Sequence, residues 1–214
     1  STRIIFDRRL GMDLGLYPLA SSSKGNCYLI RSKNTVILLD SGIAHTKIDA
    51  ELRDLELGPT KINGLLLTHE HIDHVRSVYR VMLKAPKCNL YSSKGTIEAI
   101  AEKISKFEDE RINIVEANQT FMVGDIEVTS FGIYHDANEP LSYAFKRNGK
   151  KISIITDTGI MTGEMDKAVA DSDVLVIESN HEANILLYGR YPYHVKRRIL
   201  SDVGHLSNQA CGEA

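Results

Sequence analysis

The chain of 214 residues has no tryptophan, five prolines and only three cysteines, Cys27, Cys88 and Cys211. An odd number of cysteines without close spacing excludes a disulfide framework and a cysteine-rich zinc site, and fits a reducing cytoplasm. No segment reaches the roughly 18 apolar residues that a membrane span needs. The early text RRLGMDLGLYPLASSS faintly resembles a secretory leader, but Asp13 and Pro18 interrupt its apolar stretch. A large excess of charge of one sign is also missing: the net charge is −2. That balance argues against coating nucleic acid or membrane along the whole surface and leaves any polyanion contact to a local patch. Repeats, low-complexity tracts and a Pro/Gly/Ser-rich linker are absent. A single domain of ordinary globular composition, 43% hydrophobic and 25% charged, is expected.

What is present is a succession of short β runs and amphipathic helices. LYPLA, NCYLI and TVILLD, separated by the turn-rich SSSKGN and by RSKN, predict a meander. Residues 45–57 then place Ile48, Leu52 and Leu55 at helical spacing, with Gly58 and Pro59 as the stop. After the strand GLLLT, the text from His74 to Ala85 predicts a helix with Val75, Val78, Val81 and Met82 on one face. CNLYS, DIEVTSFGIYH, LSYAFKR, KISIITDTG and DVLVIES predict further strands, with helical text at 162–170 and 193–200. Strands followed by helices in both halves predict a layered α/β arrangement with its chemistry on loops at strand ends.

One such loop is crowded. Directly after GLLLT, the stretch THEHIDH brings His69, His71, Asp73 and His74 together. Imidazole and carboxylate suit zinc, manganese and iron alike. The spacing differs from the H-E-x-x-H of helical zinc proteases, because Asp73 stands four residues after His69. His69 and His71, two apart, can point the same way from an extended loop. Asp73 and His74 open the next helix and suit a second ion nearby, as two-metal hydrolases need.

At these residues the sequence resembles the metallo-β-lactamase superfamily, whose hallmark is H-x-H-x-D-H after a strand. ILLDSG, GIYHDA and ITDTG supply the matching Asp40, His135 and Asp157. The resemblance implies an α/β fold, the αββα four-layer sandwich of the metallo-β-lactamase type. It also implies two divalent metal ions, one on His69, His71 and His135 and the other on Asp73, His74 and Asp157, with Asp40 supporting the histidine loop. Taken singly, Asp40 and Asp157 also read as turn residues before a glycine, and His135 as an ordinary loop histidine. The superfamily's late histidine ligand has no clear counterpart. His205, in SDVGHLSNQA, resembles a histidine that assists proton transfer, and the alternative that it serves as the last ligand stays open. The expectation is therefore a domain over 12–214 that lacks or does not show its C-terminal part, preceded by an extension at 1–11.

LASSSKGNCYLI, ESNHE and YPYHVKRRILSDVGHLSN are similar, in that order, to the YycJ/WalJ group, a bacterial branch of the superfamily. That resemblance implies a zinc- or manganese-dependent phosphodiesterase acting on DNA, a 5′-to-3′ exonuclease linked to repair, with no membrane partner. Asp73 and His205 are the expected proton-transfer groups. His181, in ESNHE, reads equally as a site residue or as a structural histidine. Arg190, Lys196, Arg197 and Arg198, with Tyr191 and Tyr193, form a local basic run for phosphates and base stacking. As a helix this run cannot turn all its cations to one side, and a solvated helix face is its plain alternative. Two further functions stay open: hydrolysis of a small acyl substrate (thioester, lactone or β-lactam) and a regulatory role with a vestigial metal site.

Overall fold

The computed structural model describes residues 13–178 and His205. Its first sheet contains β1 (Gly15–Ala20), β2 (Cys27–Arg31), β3 (Val36–Leu39), β4 (Gly64–Leu66), β5 (Asn89–Ser92) and β6 (Ile112–Ile114), paired in chain order. The predicted meander is β1 to β3, all antiparallel; β3 to β6 then run parallel, each joined by a crossover. The second sheet contains β7 (Thr120–Val123), β8 (Ile126–Gly132), β9 (Leu141–Arg147), β10 (Lys150–Ile155) and β11 (Val174–Ile177), in the order β11-β10-β9-β8-β7. Pro18 lies in β1, an edge strand whose register shifts between Pro18 and Ala20, where a missing N–H is tolerated.

Side-chain alternation sorts the core into layers. Tyr28, Ile30, Ile37, Leu39 and Leu66 of the first sheet meet Val128, Tyr143, Phe145, Ile152 and Ile154 of the second. Leu29, Leu38 and Leu65 face the other way, onto helices α1 (His45–Asp54), α2 (Ile72–Val75), α3 (Val78–Lys84), α4 (Lys94–Ala99) and α5 (Ala101–Ile104). The outer face of the second sheet, with Phe131, Ala144 and Ile155, packs on Met165 of α6 (Gly163–Val169). The layers are helix, sheet, sheet, helix: the predicted αββα sandwich.

The helix expected over 74–85 is broken into α2 and α3. In an unbroken helix the Ser77 N–H would bond to the Asp73 carbonyl. Here that carbonyl accepts from Asn26 N–H at 2.8 Å, while Ser77 N–H donates to Ser41 O at 2.9 Å and its hydroxyl to Ile43 O at 2.6 Å. The break ties the histidine loop to two neighbouring loops. Gly42 is essential to this approach, because a Cβ there would lie 1.5 Å from Asp73 O.

Candidate metal centre

Each candidate residue stands at or just past the end of a strand. His69, His71, Asp73 and His74 follow β4, Asp40 follows β3, His135 follows β8 and Asp157 follows β10. Asp40 and Asp157 have φ of 60° and 54°. Aspartate enters this left-handed region more readily than most L residues, so the turn reading holds at both positions and does not conflict with a place in the site.

Asp40 is fully buried and gathers the loop after β4. Its Oδ1 accepts Thr68 N–H at 2.9 Å, its Oδ2 accepts the Thr68 hydroxyl at 3.0 Å, and His74 Nδ1 lies 2.8 Å from Oδ2. Thr68 has one hydroxyl proton, committed to Asp40, so its oxygen takes a proton from His69 Nδ1 at 2.9 Å. This network assigns the lone pair of His69 to Nε2. Burial, followed by the charge of His74, holds His69 well below the ordinary histidine pKa and keeps it neutral. Asp40 and Thr68 thus fix the orientation and tautomer of the histidines in front of them.

His69 Nε2 lies 3.1 Å from His71 Nδ1, which lies 3.3 Å from His135 Nε2. On the other side His74 Nε2 lies 3.0 Å from Asp157 Oδ2 and 3.7 Å from Asp73 Oδ2. Asp157 Oδ2 is buried, and among the described residues its close polar neighbour is His74 Nε2, in a contact that lacks ordinary hydrogen-bond geometry. Burial opposes the charge of His74, but Asp40 and Asp157 outweigh it and push the pKa up to about 10. Burial would likewise raise the Asp157 carboxyl, and contact with His74 holds it well below the carboxylate range instead.

The ligand-type atoms of His69, His71 and His135 lie within 4.8 Å of one another, as do those of His69, His74 and Asp157. Converging imidazole nitrogens and a buried carboxylate oxygen make a donor set that suits a divalent cation. Asp73 stands beside the second group through its contact with His74. A third group joins Asp157 to Glu178 and His205. His205 Nδ1 lies 3.1 Å from Glu178 Oε2 and 3.5 Å from Asp157 Oδ1, and Glu178 Oε1 accepts Thr158 N–H at 2.8 Å. Glu178, Thr68 and Asn26, whose amide nitrogen lies 3.1 Å from His74 Nε2, are not singled out as site residues by the sequence. The signal for Glu178 was its place directly after an apolar strand, the same position that draws attention to Asp40. His181, Arg190, Lys196, Arg197 and Arg198 lie outside the described residues.

A twin-sheet sandwich with histidines and aspartates gathered at its strand ends defines a metallo-β-lactamase fold. The metallo-beta-lactamase fold protein YhfI from Bacillus subtilis superposes with a TM-score of 0.71, covering 93% of this chain and 79% of that one; at 14% identity this is a likeness of fold. The chain belongs to the β-lactamase superfamily, whose domain model matches residues 35–214, and within it to the YycJ/WalJ-like branch. It is 37% identical to the exodeoxyribonuclease YycJ of Bacillus anthracis over 198 residues, 92% of this chain and 75% of the relative. It is 36% identical to the exodeoxyribonuclease WalJ of Streptococcus pneumoniae serotype 2, strain D39, over 92% of this chain and 73% of the relative.

Proposed function

We propose that the chain is a metal-dependent phosphodiesterase that removes nucleotides from DNA ends in the 5′-to-3′ direction, in the cytoplasm and in the service of DNA repair. The observation that carries this reading is its 37% identity, over 92% of its length, to a protein named as an exodeoxyribonuclease. Buried, free Cys27 and Cys88 agree with the reducing compartment. Among the described residues no helix is long and apolar enough to cross a membrane.

In this reading His69, His71 and His135 hold one divalent ion and Asp73, His74 and Asp157 the other, zinc or manganese, with iron also compatible. When bound, the ions supply Lewis acidity toward a water and a phosphate oxygen. Asp40 and Thr68 keep the histidine lone pairs turned inward. Glu178 Oε2 accepts from His205 Nδ1 and so directs the opposite ring nitrogen, Nε2, to exchange a proton with the leaving oxygen. The grouping of His205 with Asp157 and Glu178 supports a second role, as a metal ligand. His205→Ala separates the two: a proton-transfer residue leaves ion stoichiometry intact while cleavage falls, and a ligand does not.

The test follows end-labelled linear duplex DNA incubated with the protein and manganese, beside a chelator control and a His69→Ala/His71→Ala variant. Metal-dependent loss of nucleotides from the 5′ end, absent in the variant, is expected. A folded, metal-loaded protein that cleaves no DNA would return the assignment to acyl hydrolysis or to a non-enzymatic role.

A further inference from the structure

On the strength of that DNA reading, we infer that Asn26 is a catalytic residue whose side-chain amide donates a hydrogen bond to a non-bridging oxygen of the phosphate being cleaved. Asn26 closes the turn SSSKGN and is only 7% exposed. Its backbone is held on two sides: its N–H donates to Asp73 O and its carbonyl accepts Gly42 N–H, both at 2.8 Å. The turn itself is anchored, with Gly25 N–H on Ser22 O and the Tyr28 hydroxyl on Ser21 Oγ, both at 2.9 Å. The side chain therefore reaches the candidate centre from a fixed base.

Which end of the amide faces the centre follows from its partners. Ser22 N–H, 3.3 Å away, requires the oxygen Oδ1 as acceptor, so the nitrogen Nδ2 is the atom turned inward, 3.1 Å from His74 Nε2. His74 belongs to the ligand group with His69 and Asp157, and its Nε2 faces Asp157 Oδ2 at 3.0 Å while its Nδ1 is turned to Asp40. Among the described residues Asn26 Nδ2 has no other hydrogen-bond partner. Once His74 Nε2 holds an ion, its lone pair is in use, and a buried donor without an acceptor is left at the rim of the ion group. An amide N–H has nothing to offer a cation. It serves an anion that the cation attracts, and a phosphodiester brings the oxygen that such a preorganised donor stabilises as charge develops on it.

The test compares wild type with Asn26→Asp and Asn26→Ala, each loaded with manganese. Asn26→Asp keeps an acceptor for Ser22 N–H and puts an oxygen in place of the inward donor. Asn26→Ala removes the donor without adding charge, and circular dichroism checks that both variants are folded. Three quantities are measured side by side: cleavage of end-labelled duplex DNA, ion content by elemental analysis, and calorimetric affinity for thymidine 5′-monophosphate, the phosphate monoester that removal of a 5′ nucleotide leaves. Both variants are expected to retain wild-type ion content, to cleave about 100- to 1000-fold more slowly and to bind the monophosphate at least about tenfold more weakly. A folded variant that cleaves and binds the monophosphate as wild type does overturns the assignment. So does an Asn26→Asp variant that cleaves normally while Asn26→Ala loses an ion, the pattern of an ion ligand. Wild-type protein that is ion-loaded yet neither cleaves DNA nor binds the monophosphate overturns the nuclease reading itself, a result read on wild type alone and so distinguishable from the other two.

Discussion

Replacing Asp40 by alanine should unsettle the centre from behind without touching a ligand. The change strips three buried donors of their acceptor: Thr68 N–H, the Thr68 hydroxyl and His74 Nδ1. At about 1–3 kcal/mol per orphaned buried group, and about 1 kcal/mol for alanine at a φ near 60°, the upper sum approaches 10 kcal/mol. Relaxation and entering water reduce it, so about 4–6 kcal/mol is expected. For a chain of 214 residues that is a fall in Tm of about 10–20 °C, at 2–4 °C per kcal/mol. Asp40→Asn tolerates the left-handed backbone and keeps one acceptor, so it should fall between alanine and wild type. Thermal unfolding of the ion-free proteins measures the first effect, and competition against a chromogenic chelator measures weakened ion binding at His74. An alanine variant that melts within about 3 °C of wild type and binds ions equally well would refute this account of Asp40.

Gly42→Ala should destabilise by about 3 kcal/mol and depress cleavage, because its Cβ meets Asp73 O at 1.5 Å; urea titration reads the first and DNA cleavage the second. The ion-free protein should be most stable near pH 6.5, the ordinary histidine value. His74, raised to about 10, stabilises fully below pH 6.5 and loses that contribution as pH rises toward 10. Below 6.5 the unfolded chain takes up two protons, at His69 and His74, while the folded chain keeps only the one on His74, so stability falls again. Urea unfolding in chelator from pH 5 to 10 checks this, and a stability that rises steadily to pH 10 would contradict it. Glu178→Gln retains an acceptor for Thr158 N–H but loses the charge facing His205. DNA cleavage should fall about 100-fold at unchanged ion content, as loss of a general acid–base partner does.

The elements that could be read from the sequence were those whose pattern matches their burial. LSYAFKR corresponds to β9 residue for residue, and Val75, Val78, Val81 and Met82 are all in the core as their spacing required. The helices α4 and α5 escaped notice because Ser92-Ser93-Lys94-Gly95 reads as a turn. In the structure Ser93 is the cap, its hydroxyl accepting from Thr96 N–H. The short strands β6 and β7 carry exposed Ile114 and Met122 and so lack a clean alternation. Within the centre, the histidine spacing is local and therefore legible. Glu178 acquires its meaning through Thr158 and His205, 20 and 27 positions away, and Asn26 through His74, 48 positions away. Periodicity does not register such contacts.

The centre draws on both halves of the sandwich. His69, His71 and His74 hang from the first sheet, His135 and Asp157 from the second, and the seam between them is stitched by Leu141 N–H to Thr68 O and by the Tyr143 hydroxyl to Leu67 O, both at 2.9 Å. Neither sheet alone brings together enough donors for either ion group. A chain emerging from the ribosome must therefore complete more than 150 residues and dock the two sheets before the cluster exists. Any hydrolytic capacity that rests on this cluster is thus withheld until the two sheets have docked, and the docking that excludes water from the core also assembles the candidate centre.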